Sequence, residues 1–177
     1  MDNQDGDSVW RAVPGTQYNV DFSDTGGSLL DRLQLRVTSG PGQTGTVLAD
    51  WFDLAAAPVS SAAYTANFEL AVSTWLALPE GQSYVSARAY DTAGNYVTAA
   101  DVFYVRKDTT PPAAPALLSP VQGGTAAALP LTFSWSAAAD AASGVAYYAV
   151  YLSTSQDFAV VYSSVQTVPA QYQFSPA

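Results

Sequence analysis

The stretch Asp108-Thr109-Thr110-Pro111-Pro112 decides how this chain is built. Two consecutive prolines have no N–H to give a sheet and hold φ near about −65°. Each also pushes its predecessor into an extended conformation. Such a segment ends one strand system and begins another as a semi-rigid spacer. It therefore divides the chain into a lead-in at 1–8, a first β module at 9–107, a linker at 108–112 and a second β module at 113–177.

Upstream of the joint the pattern is one of short strands and turns. Tyr18, Val20 and Phe22 share one face of an alternating segment, and Leu33-Gln34-Leu35-Arg36-Val37 alternates with Arg36 outward. Ser23 to Ser28 and Ser39-Gly40-Pro41-Gly42 are turn chemistry. Val47 to Leu54 and Phe68 to Val72 read as two more strands. Val85, Ala87 and Ala89 then face one way, with Tyr84, Ser86, Arg88 and Tyr90 on the other side. Ala93-Gly94-Asn95 supplies residues that accept positive φ, as a hairpin turn requires. Val102 to Val105 is the returning strand. With a start at Val9 this makes about seven strands, the complement of an immunoglobulin-sized sandwich of about 100 residues.

Downstream, Ala116-Leu117-Leu118, Leu131 to Trp135, Tyr147 to Leu152, Val160 to Tyr162 and Tyr172 to Phe174 read as about five strands. In the third of these, Tyr148, Val150 and Leu152 face inward, while Tyr147, Ala149 and Tyr151 face outward. A seven-strand sandwich needs about 100 residues. The second module is expected to lack its last two strands and to be truncated, or completed by another chain. Residues 1–8 are acidic rather than alternating apolar and do not suit a completing strand.

Composition supports an all-β reading. The chain is 49% hydrophobic but only 12% charged, about half the usual share of charge. Its alanine runs are short and adjoin Pro, Ser or Asp, so they read as loops and strand ends. Net charge is −9, and every Lys and Arg lies between residues 11 and 107. No run of bases marks a nucleic-acid surface or one for anionic lipid. No apolar run approaches the roughly 20 residues that span a membrane, and residues 1–8 are no signal peptide. The chain reads as a piece of something longer.

At several of these residues the chain resembles tandem bacterial extracellular Ig-like and fibronectin type III-like modules. Ala87 to Asn95 is similar to their strand-turn pattern A-x-D-x-A-G-N, and Asp108 to Pro112 to their D-x-T-P-P joint. Leu131-Thr132-Phe133-Ser134-Trp135 looks like the second strand of a fibronectin-type domain, with Trp135 in its core. Asp140 to Tyr151 looks like the loop and strand that follow. The likeness covers residues 84–177 by motif and 9–83 by architecture alone. It implies a secreted or cell-surface setting, with a signal peptide not in this chain. Ser83 departs from the pattern, which has an aromatic at that position.

Candidate sites are few. The chain has no His and no Cys, so Ser-His and Cys-His nucleophile systems are absent, and there is no Walker-type phosphate loop. Asp50 and Asp53 are the carboxylate pair for glycosidase-type work; they share a face only if a bulge intervenes, and the plain alternative is two solvated strand-edge acids. No cofactor is expected, calcium being the one candidate. Asn3-x-Asp5-Gly6-Asp7 lacks an acidic first ligand and the bidentate Glu, and Asp140 with Ser143 reads equally as a capped turn. Lys107, the single lysine, is expected to be exposed, which disfavours an isopeptide bond. Tyr84, Tyr90, Tyr147 and Tyr151 are expected on outer faces as a contact surface, with Trp51 and Trp75 as further exposed candidates.

The expectation is an all-β, non-enzymatic pair of sandwich modules that serves as a spacer, adhesive segment or assembly subunit. Its partners would be neighbouring modules of the same parent protein or other copies of the chain, possible glycan contacts being the second reading. In that second reading the pair is a carbohydrate-binding accessory module of a larger polysaccharide-acting protein.

Overall fold

Leu33, Leu35 and Val37 are fully buried, and the strand that carries them is an interior strand of the largest sheet. The computed structural model describes residues 9–14, 17–121, 123–125 and 129–175. The acidic lead-in and its Asn3 to Asp7 spacing lie outside them. The chain divides into two units, Met1–Thr109 and Thr110–Ala177. Both consist mostly of β-strands.

The first unit carries β1 (Trp10–Arg11), β2 (Phe22–Ser23), β3 (Leu30–Thr38), β4 (Val47–Asp53), β5 (Ala63–Tyr64), α1 (Val72–Ala77), β6 (Gly81–Asp91) and β7 (Tyr96–Lys107). A five-stranded sheet has the order β1-β7-β6-β3-β4, and β2 pairs with β5 in a small second sheet. All pairs are antiparallel except β1 with β7. The inner face of the large sheet supplies Leu33, Leu35, Val37, Val85, Ala87, Phe103 and Val105 to the core. Tyr18, Val20 and Phe22, at 1%, 0% and 3% exposure, supply the opposing layer as their alternation requires. Tyr18 stacks on Phe103 at 5.4 Å, and Phe68 packs on both.

The hairpin between β6 and β7 is closed by Asp91. Its carboxylate accepts from the Asn95 amide and side chain, both at 2.8 Å, and from Ser28 Oγ at 3.0 Å. The Asn95 side-chain bond is the main reason its carboxyl is held below the usual range. Gly94 takes φ +88°, a region open to glycine at little cost.

Three expectations change here. Phe68 to Val72 is not a strand: Phe68 makes one bridge to Tyr18, and the chain then turns into α1. Period-two spacing of Phe68, Leu70 and Val72 suggested the strand, but Val72 is exposed. Trp75 and Leu78, one helical turn apart, go into the core instead. Trp75 is thus buried rather than exposed. Lys107 is buried as well, not exposed. Its ammonium donates to the carbonyls of Leu78 at 2.8 Å and Trp75 at 3.2 Å, and sits 5.4 Å from the Trp75 ring. Those carbonyls end α1, where a cation is favourable, and Pro79 forces Leu78 into extended geometry.

The second unit contains β8 (Leu117–Ser119), β9 (Leu131–Trp135), β10 (Tyr148–Ser153), β11 (Val161–Thr167) and β12 (Gln171–Phe174). One sheet has the order β12-β9-β8; the other is the antiparallel pair β10-β11. Among its described residues none is buried.

The joint is tied at each end. The Asp108 amide donates to Arg11 O at 3.0 Å, and the Thr109 amide to Glu80 Oε2 at 2.8 Å. In the second unit the Ala113 amide donates to Ala139 O, and that of Ala116 to Ser136 Oγ.

Candidate interaction surfaces

Arg32, Gln34, Arg36, Tyr84, Arg88, Tyr90, Tyr104 and Arg106 of β3, β6 and β7 lie on one sheet face, which gathers arginines with aromatic rings. Arg88 lies 4.2 Å from the Trp51 ring and 5.2 Å from that of Tyr90, and its guanidinium donates to Gln34 Oε1 at 2.6 Å. Arg36 approaches Trp51 and pairs with Asp50 at 3.2 Å. Arg32 approaches Tyr90, and Arg106 lies against Trp10 and Tyr104. Gln34 passes the connection on to Asp53 at 2.8 Å. Cation–π contacts of this kind contribute about 0.5–2 kcal/mol each. Although scattered in sequence, four arginines therefore share one sheet face, a clustering set by strand register.

The sequence-expected tyrosines fall into two groups. Tyr84 and Tyr90 are on this outer face, half-buried. Tyr84 meets Tyr104 edge-on at 62°, and Tyr90 meets Tyr96 at 35°. These are cross-strand neighbours, the kind of pair that stabilises a sheet. Their rings do not form a coplanar row. Tyr147 and Tyr151 belong to the second unit and are 52% and 56% exposed.

Asp50 and Asp53 both reach the outer face. Leu35 opposes Phe52 while Val37 opposes Ala49, so β4 holds an extra residue at this point. Each carboxylate has a sheet partner, Arg36 or Gln34. Asp140 closes a turn: its Oδ1 accepts from the amides of Ala142, Ser143 and Gly144 at 3.0–3.1 Å. Among the described residues no three acidic side chains are placed to hold a metal.

The surface that sequence reasoning missed is a cleft in the second unit. It encloses about 570 Å³ and lies between the segment Pro112 to Leu117, β9 and β10. Phe133, Trp135, Val150 and Leu152 form its walls, with Tyr151 on β10 and Tyr147 just before it. None of its lining residues is charged. Trp135 meets Tyr148 edge-on at 5.3 Å, and the Tyr148 hydroxyl accepts the Ala138 amide at 3.0 Å. Both rings are half-buried rather than enclosed. Among the described residues β10 has β11 on one side and no strand on the other.

Comparison with protein-family models, curated proteins and solved structures finds no match for this chain.

Proposed function

We propose that the chain is a non-enzymatic pair of sandwich modules from a secreted or cell-surface protein, serving as a spacer and assembly element. The single observation that carries this reading is the open apolar cleft of the second unit, beside a strand edge with no pairing among the described residues. Apolar surface of this kind marks a place where polypeptide packs on polypeptide, and an unpaired edge invites further strand pairing.

Topology supports the module type. A sheet ordered β1-β7-β6-β3-β4, opposed by β2 and β5, has the strand distribution of an Ig-like sandwich. The sets β12-β9-β8 and β10-β11 fit five strands of a fibronectin-type sandwich. In this reading Asp108 to Pro112 spaces the two modules. The side chains of the first unit's outer face bind one another, which favours a stiff load-bearing sheet.

The sugar-binding alternative draws on Tyr84 and Tyr90. Rings at 62° and 35° to their neighbours make a poor flat platform. A glycan array probed with the full chain tests the choice. The assembly reading expects no glycan retained. Binding that is lost on Tyr84→Ala or Tyr90→Ala would replace it with the sugar-binding one.

A further inference from the structure

We propose that the arginine face of the first unit is a docking surface for an acidic segment of the same chain, residues 2–8, with Asp7 meeting Arg106, Asp5 meeting Arg36 and Asp2 meeting Arg88. This surface lies in the first unit and does not depend on the cleft of the second.

Charge selects the class of occupant. Arg32, Arg36, Arg88 and Arg106 share the face with two carboxylates, Asp50 and Asp53, so positive charge is in excess. A guanidinium has five N–H donors. Among the described residues, Arg36 reaches one acceptor group on Asp50, Arg88 one on Gln34 and Arg106 one on Gln82, while Arg32 has the Tyr90 ring alone. Rings lie against these groups, and the N–H edges left over suit a carboxylate held in bidentate fashion. Residues 1–8 contain Asp2, Asp5 and Asp7 and no base. Of the chain's two other bases, Lys107 is buried and Arg11 lies over the Tyr18 ring.

Connectivity selects the occupant itself. β1 runs parallel to β7 with Trp10 opposite Arg106, and the Trp10 ring lies 5.7 Å from that guanidinium. The chain therefore reaches Trp10 from the Tyr96 end of β7, the end toward which Arg36, Arg88 and Arg32 are placed by register. Arg88 is six residues along β6 from Gln82, the partner of Arg106. That is about 20 Å along the strand and about 10 Å across two strand spacings from β1. Eight extended residues span about 26 Å, enough to bring Asp2 to Arg88, with Arg36 and Arg106 on the way. A tether this short holds the segment at an effective concentration of about millimolar. A separate acidic chain or a second copy lacks that advantage and meets a molecule of net charge −9.

The test is paramagnetic NMR on the full isotope-labelled chain. The sequence has no cysteine, so Gln4→Cys gives a single site for a nitroxide label. The expected result is broadening of the Gln34, Arg36 and Arg88 amides. It should fall at least threefold when Asp2→Asn, Asp5→Asn and Asp7→Asn are combined. It should fall likewise in about 1 M salt, where the screening length is about 3 Å. Unchanged Val85 and Phe103 signals would show that the first unit's core is intact in each variant. Broadening that survives the three substitutions would overturn the proposal, since connectivity without charge would then explain it. Broadening confined to β7 would overturn it as well, by placing the segment along that strand's edge. A third contrary result is equal broadening of an unlabelled-nitroxide, isotope-labelled chain mixed with a nitroxide-bearing one, which would make a second copy the occupant.

Discussion

The two units are both built mostly of strands and reach different degrees of closure. In Met1–Thr109, a five-stranded sheet is covered by Tyr18, Val20, Phe22, Leu70 and α1, and its inner apolar residues are buried. In Thr110–Ala177, Phe133, Trp135, Tyr148 and Val150 make the corresponding wall, and each is only half-buried. Residue type does not account for this: Phe133 and Phe103 are the same side chain. What differs is the opposing layer: Tyr18 and Phe68 pack on Phe103, whereas Phe133 lines the open cleft although β9 has a strand on each side. Burial of an aromatic side chain removes water only when both layers and both neighbours are in place.

The sharpest way to break the contrast is to truncate matched residues. Phe103→Ala should cost about 3–5 kcal/mol, as expected for a large cavity in a closed core. Phe133→Ala should cost less than about 2 kcal/mol, because its ring is only partly buried and lines an open cleft. Urea titration followed by amide signals from each unit separates the two values. Equal losses would mean that the second unit is as closed as the first.

Lys107→Met comes next. It removes the ammonium from the carbonyls of Leu78 and Trp75, of which Trp75 O keeps the Leu78 amide. The expected loss is about 1–3 kcal/mol, with faster amide exchange in α1 and no change in the second unit. Arg88→Ala removes the stack on Trp51 and the bond to Gln34. It should cost about 1–2 kcal/mol and shift the Trp51 emission. An unchanged stability would show that the outer-face ladder is decoration.

The smallest effect belongs to Asp91. Its folded-state pKa is lowered, first by the Asn95 side chain. The ionised form is therefore favoured in the fold. Its contribution is complete above the ordinary carboxylate range, about 3.9, and is lost as pH falls through the lower folded value. Acid titration should loosen the Asn95 amide only below that range, and Asp91→Asn should remove the pH dependence at this turn.

Strand positions were legible where one face is uniformly apolar. Leu33 to Val37, Val85 to Ala89 and Leu131 to Trp135 alternate, and all three are strands. The Asp91 to Asn95 turn was legible from its residue types. The helix α1 was not. Its N-cap Ala71 makes no side-chain cap and its first turn has no acid, so the usual start signals are missing. Lys107 was misplaced because its burial depends on carbonyls some 30 residues away in sequence, which no local pattern encodes. The outer-face arginines meet Trp51 and Tyr90 only through cross-strand register. The cleft was not read from the sequence, where alternation placed Trp135 and Tyr148 in a core and the strand count pointed only to missing strands. Its lining and its free β10 edge required the pairing itself.

Hydrogen exchange on the full chain alone tests the central claim most directly. The account predicts slow exchange along β3, β6 and β7, near the global limit of the first unit. In β10 it predicts exchange at least a hundredfold faster at every amide not bonded to β11. Protection along both edges of β10 equal to that of β3, in the absence of any added chain, would contradict it.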